Sequence, residues 1–156
     1  MTVEEIKAAL GLTPLPVEGG LWSQSWRDEA FSAIYYLLRA PDFSAWHRLD
    51  HPELYAYHAG SPLVLRQIDP DGRFTTTVLG VDLAAGQRPQ AVVPAGVWQA
   101  AETADWSLVG TVVVPPYTDS TVHFPENLVA QFPQHTGVIS RLSPGARAGV
   151  RPPTTG

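Results

Sequence analysis

The sequence contains no cysteine, one methionine (Met1) and one lysine (Lys7). Without cysteine there is no disulfide, no Cys-based zinc or iron–sulfur site, and no thiol nucleophile. No apolar run approaches the roughly 18 residues of a membrane-spanning helix. The start of the chain carries Glu4, Glu5 and Lys7 and does not read as a signal peptide. A cytoplasmic location with no membrane partner is therefore the expectation. Positive charge is also scarce. Residues 1–140 hold seven basic side chains against all 15 acidic ones. An acidic body repels phosphate backbones, so nucleic acid is not an expected partner. No Gly-rich phosphate loop opens a helix, and no Gly-x-Ser-x-Gly elbow is present.

Proline (15) and glycine (13) are abundant in the 156 residues. Both break helix interiors, which argues against a helical bundle and for short strands joined by tight turns. The length suits one domain of about 100–200 residues. Thr2 to Leu10 reads as a short helix, with Thr2 as cap, Glu5 three residues on and Gly11 as stop. Beyond it, strand patterns recur at Trp22–Trp26, Ser32–Leu38, Phe43–Leu49, Glu53–His58, Leu63–Ile68, Phe74–Leu79, Ala91–Val93, Trp98–Ala101 and Trp106–Val114. Asp69-Pro70-Asp71-Gly72 reads as a hairpin turn. Val122 to Gln131 has room for a short strand or helix. Turn signals every 8–12 residues point to an all-β sandwich or barrel. Residues 1–139 read as a single domain. Residues 140–156, with Arg141, Arg147 and Arg151 and no acid, read as a mobile Pro/Gly/Arg-rich tail.

Five histidines are available, and His58, His123 and His135 stand alone. His47 has company. Glu53 follows six residues later, Gly60 seven after that, and Pro94-Ala95-Gly96-Val97-Trp98-Gln99 comes some forty residues after Glu53. This layout resembles the cupin superfamily, whose first motif is H-x-H, three or four residues, E, six residues, G, and whose second contains P-x-G-x-x-H. Glu18-Gly19-Gly20, Ala33 to Leu38, Phe43 to Arg48, Leu79 to Gly86 and Val93 to Ala100 further resemble the DUF985 (Cupin_5) branch, often described as a predicted cupin sugar epimerase. The resemblance covers about residues 10–118. It implies a double-stranded β-helix, the jelly-roll cupin barrel, preceded here by a short N-terminal helix. It also implies a homodimer and a pocket inside the barrel.

A fully furnished cupin binds its metal with three His and one Glu. By the resemblance, His47 takes the first His place and Glu53 the Glu place, while Leu49 and Gln99 occupy the second and third His places. Two strong ligands make a poor site for zinc or iron. No cofactor is therefore expected, and a divalent metal, if present, would sit among His47, Glu53 and Gln99. Two further departures, Ser23 to Arg27 after the Gly-Gly pair and Ala56 after Glu53, imply a roomier and less charged pocket.

In strands, residues two apart face the same way. With His47 inward, Phe43, Ala45 and Leu49 follow it. Glu53 brings Tyr55 and Tyr57, and Gln99 turns Trp98 to the outside, where it has room to pack against a partner sheet. In the strand around Tyr36, either Tyr35 and Leu37 or Ile34, Tyr36 and Leu38 face in. The candidate catalytic residues are Glu53, as base, and His47, as acid or its partner. The candidate substrate-binding residues are Gln99, Tyr55, Tyr57, Tyr36, Gln24, Phe43 and Leu49. The expected activity is acid–base chemistry on a small organic substrate, namely isomerisation, epimerisation, cyclisation or dehydration. A metal-dependent cupin oxygenase or isomerase and a non-catalytic small-molecule binding protein are the alternatives.

Overall fold

A computed structural model describes residues 1–147. Helix α1 (Val3–Leu10) forms as its sequence dictates. The Thr2 side chain accepts from the Glu5 N–H, the Glu5 carboxylate accepts from the Thr2 N–H, and Gly11 closes the helix in the left-handed region at φ 64°. Eleven strands follow among the described residues: β1 (Thr13–Pro14), β2 (Leu21–Arg27), β3 (Ser32–Arg39), β4 (Ser44–Leu49), β5 (Glu53–Gly60), β6 (Leu63–Ile68), β7 (Phe74–Leu79), β8 (Gln90–Val93), β9 (Trp98–Thr103), β10 (Trp106–Val113) and β11 (Val122–His123). Two short α-helices, α2 (Leu128–Gln131) and α3 (Thr136–Arg141), follow the strands, with 3-10 turns at Pro133–His135 and Pro144–Ala146. Among the described residues no helix is long and apolar enough to cross a membrane.

The strands form two antiparallel sheets, ordered β1-β2-β3-β10-β5-β8 and β11-β4-β9-β6-β7. The Asp69–Gly72 turn joins β6 to β7 as the sequence predicts. The Asp69 carboxylate accepts from the N–H groups of Asp71 and Arg73, and Gly72 sits at φ 84°. Between the sheets lies an apolar core of Tyr36, Leu38, Tyr55, Leu63, Leu65, Leu79, Val93 and Val109. Inward Tyr36 and Leu38 resolve the choice in β3, since Tyr35 and Leu37 pack outside, against Ile6 and Leu12 from α1 and its C-terminal loop.

The outer face of the second sheet is covered by the chain's own C-terminal segment. Leu128, Phe132, Ile139 and Leu142 pack there against Trp46, Ile68 and Trp98. Trp98 does face outward, but α2 and α3 cover it and the Arg48 guanidinium lies 5.1 Å from its ring centre. The structure thus departs from the expected tail at residue 140. Leu142 is buried, and Arg147 is tied to four groups. Apolar residues spaced to cover a sheet face continue past 140. The rest of the expected tail, Arg151 included, lies outside the described residues.

Candidate functional site

A cavity of about 370 Å³ opens at one end of the barrel, near the lower end of the range for ligand sites. Leu15, Trp22, Ile34, Leu49 and Val113 give it apolar walls. Glu18, Tyr36, His47, Glu53, Tyr55 and Thr111 line its buried part, while Gln24, Arg27, Tyr117, Thr118 and Asp119 stand towards solvent.

His47 reaches the cavity because β4 is bulged. Ser44 pairs with Ala101 and His47 with Gln99, so one strand spans three steps where its partner spans two. Ala45 and Trp46 consequently both turn outward, and His47 and Leu49 turn in. The imidazole is almost wholly buried, and its Nδ1–H donates to the Ala45 carbonyl at 2.7 Å. A carbonyl only accepts, so this bond fixes the tautomer and leaves Nε2 on the cavity side. There Nε2 lies 3.6 Å from the Glu18 carboxylate.

Glu53 begins β5, and its Oε1 accepts from the Gln99 amide at 3.0 Å. Gln99 in turn accepts from the Tyr55 hydroxyl at 2.6 Å. Burial pushes the Glu53 carboxyl above the usual carboxylate range, and Glu18 adds to this. The His47 ring and the Gln99 and Thr111 side chains pull the other way. Burial also holds the Tyr36 and Tyr55 hydroxyls far above the ordinary tyrosine value, so both remain neutral donors. Tyr36 donates to the Gly19 carbonyl at 2.7 Å. At the cavity mouth, burial raises Tyr117 to about 12.

Of the residues expected at the site, His47, Glu53, Tyr55, Tyr36, Leu49 and Gln24 line the cavity. Gln99 stands behind the wall and bonds to two of them. Two do not reach it. Phe43 lies in the outer core, with the Arg147 guanidinium 4.5 Å from its ring centre, because the β4 bulge inverts the alternation that linked it to His47. Tyr57 shares the inward face of Tyr55 but stands near the far end of β5. Its hydroxyl donates to the Gly60 carbonyl at 2.5 Å. Elsewhere, His123 pairs with Asp50 at 2.9 Å and His135 bonds the Gly72 carbonyl at 2.8 Å.

Sequence patterning does not place Glu18 at the site, although Glu18-Gly19-Gly20 is a family-like run. Glu18 follows Val17, whose φ of 66° puts a β-branched residue in the left-handed region. The Glu18 N–H donates back to the Pro16 carbonyl at 2.8 Å, making a γ-turn of the rare, strained hand. Three contacts hold the turned-in residue. The Ser44 hydroxyl donates to its carboxylate at 3.1 Å, and the Ala45 N–H and Arg147 both donate to its carbonyl. Such strain persists only where the surroundings over-determine it, and it concentrates at functional positions.

The same bonds decide whether the family's ligand set can hold a metal here. Leu49 offers no donor, and the Gln99 amide is engaged at both ends, by Tyr55 and by Glu53. Among the described residues no three His, Cys, Asp or Glu side chains are grouped to hold an ion. The residues present do not fit a divalent metal.

Residues 4–124 match the family model described as Cupin superfamily (DUF985). No curated protein matches the chain. Among solved structures, a protein of Shewanella oneidensis is 37% identical, with 92% of this chain and 98% of that one covered and a TM-score of 0.87. A hypothetical protein from Leishmania major is 28% identical over 92% of this chain and 99% of its own, with a TM-score of 0.85. A cupin 2 conserved barrel domain protein from Rhodopseudomonas palustris shares the fold at 14% identity, covering 85% and 89%, with a TM-score of 0.63.

Proposed function

From a chain that belongs to the cupin superfamily, in its DUF985 branch, we propose an enzyme that performs acid–base chemistry on a small organic molecule in the barrel, without a metal. The observation that carries the reading is one cavity faced by Glu53 and by His47 Nε2. Glu53 is the base. Burial raises its proton affinity towards the working range, and the Gln99 amide on Oε1 leaves Oε2 to take the proton. His47 is the acid. Its Nδ1 is committed to Ala45, so the proton it gives is the one on Nε2, which lies on the cavity side 3.6 Å from the Glu18 carboxylate. Gln99 orients Glu53, and Tyr55 orients Gln99. Removing a proton at one atom and delivering one at another covers isomerisation, epimerisation, cyclisation and dehydration.

The test works with an unidentified substrate. A cell extract is incubated with the protein in D2O, and mass spectrometry searches for metabolites that gain deuterium or change retention. The expected result is at least one such metabolite, with the change slowed about 10²–10⁴-fold in Glu53→Gln and in His47→Ala. A metabolite processed equally well by both variants removes the role assignment. Retention of an extract component with no exchange at all replaces catalysis with binding.

A further inference from the structure

The charges facing the cavity do not balance. Glu18 and Glu53 both face its buried part, and among the described residues the only basic group there is the His47 ring. Even with that ring protonated, one of the two carboxylates has no counter-charge. Arg27 does not supply it. Arg27 is exposed at the mouth, where it donates to the Tyr117 carbonyl at 2.5 Å, and Asp119 lines the same mouth. The His47 ring, almost wholly buried, presents Nε2 to the same space with no hydrogen bond among the described residues, its nearest ionic neighbour being Glu18 at 3.6 Å. The Glu53 carboxyl, also more than nine-tenths buried, has the neutral Gln99 amide and Thr111 hydroxyl beside it and no cation of its own. A buried charge without a partner is costly, and a bound cation removes that cost. An anion entering here would meet two carboxylates in an apolar setting. A phosphate or a nucleoside diphosphate would find, among the described residues, no inward arginine or lysine.

We propose that the cavity binds a small organic cation, an amine whose ammonium group seats between Glu18 and Glu53. Its body is apolar or aromatic and lies against Trp22, Ile34, Leu49 and Val113. Trp22 also offers a ring face to the cationic end. This names a substrate class for the same site and so rests on the reading of the cavity as the working site. It rests on charge and shape, however, and not on any proton-transfer step.

The experiment uses three probes of nearly equal shape, benzylamine, benzyl alcohol and benzoate, with the full-length protein. Ligand-observed NMR and calorimetry read the binding. Benzylamine is expected to bind in the millimolar range, at least about tenfold tighter than benzyl alcohol, and benzoate not at all. Glu18→Gln and Glu53→Gln are each expected to weaken benzylamine severalfold while leaving benzyl alcohol unchanged. Circular dichroism confirms their folding. If either variant fails to fold, the order of the three probes on the unaltered protein decides. Benzoate or benzyl alcohol binding as tightly as benzylamine overturns the proposal, and so does the absence of benzylamine binding. Amine selectivity without any deuterium exchange in the extract assay leaves this inference standing and removes the catalytic reading. Exchange with no amine preference does the reverse.

Discussion

Replacing Arg147 by alanine should destabilise the protein far more than replacing Arg141, though both belong to what reads as one solvated tail. The Arg147 side chain is mostly covered. It donates through Nε to Asp42 at 2.8 Å, through Nη1 to the Val17 carbonyl at 2.9 Å, and through Nη2 to the carbonyls of Phe43, at 2.8 Å, and Glu18. Of these acceptors, the Glu18 carbonyl keeps a second donor in the Ala45 N–H, and Asp42 keeps the N–H groups of Gly20 and Phe43. The net loss is therefore one charged fork rather than four separate bonds, about 2–4 kcal/mol for a largely buried, charge-assisted contact. For a chain of this size each kcal/mol moves Tm by roughly 2–4 °C, so a fall of about 5–15 °C is expected. Arg141 pairs with Glu102 from a half-exposed position, and its loss should cost under about 1 kcal/mol. Arg147→Lys keeps the charge but not the planar fork and should fall between. The deficit should also narrow in acid. Burial favours the neutral form of Asp42, but the Gly20 N–H, Arg147 and the Phe43 N–H together hold its carboxyl below the ordinary range. A carboxyl lowered on folding stabilises above its unfolded value, about pH 4, and that contribution fades as pH drops further. Thermal melts of the three variants across pH 3–8 supply the data. An Arg147→Ala melt within about 2 °C of the unaltered protein, or equal to that of Arg141→Ala, would refute the reasoning.

Glu53→Gln should raise Tm at neutral pH. A carboxyl raised on folding leaves the folded state least favoured above its folded value, so the gain vanishes as pH falls towards the ordinary glutamate value of about 4.3; melts at two pH values check this. Gln99→Leu strands the Tyr55 hydroxyl and one Glu53 oxygen and should cost about 2–4 kcal/mol in urea unfolding, whereas Gln99→Glu should lose the donor to Glu53 and place two carboxyls together. Gly60→Ala puts a side chain at φ 89° with its Cβ 2.3 Å from the Trp106 carbonyl oxygen, so a loss of at least about 2 kcal/mol is expected from the same measurement.

The strands and turns are largely legible in the sequence because their signals are local. The apolar run of β3, alternation in β5 and β9, and the chemistry of the Asp69–Gly72 turn and the Thr2 cap involve neighbours a few residues apart. Local patterns leave sandwich and barrel open; the barrel, with His47 and Glu53, is legible through the family motif. Alternation misplaces Phe43 because it holds only along an unbroken strand, and nothing in Ser44-Ala45-Trp46 announces a bulge. For Tyr57 it gives the face but not the depth, since periodicity gives direction and not distance from the barrel mouth. Glu18 escapes sequence patterning because its placement depends on a strained Val17 backbone and on a guanidinium 129 residues away. Neither leaves a pattern in its own stretch of chain.

The grip of Arg147 on the Val17–Glu18 turn has a consequence for the order of manufacture. Its four bonds close loops of 104 to 130 residues. On a ribosome, the strands and the motif that carry His47 and Glu53 are synthesised long before residue 147. Until residue 147 is made, the Val17–Glu18 turn has its contacts to Ser44 and Ala45 but lacks the guanidinium on its two carbonyls. Contacts of such sequence separation form late because the intervening chain must be ordered first. The turn that presents one of the two cavity carboxylates is therefore completed by a residue made 129 positions after it.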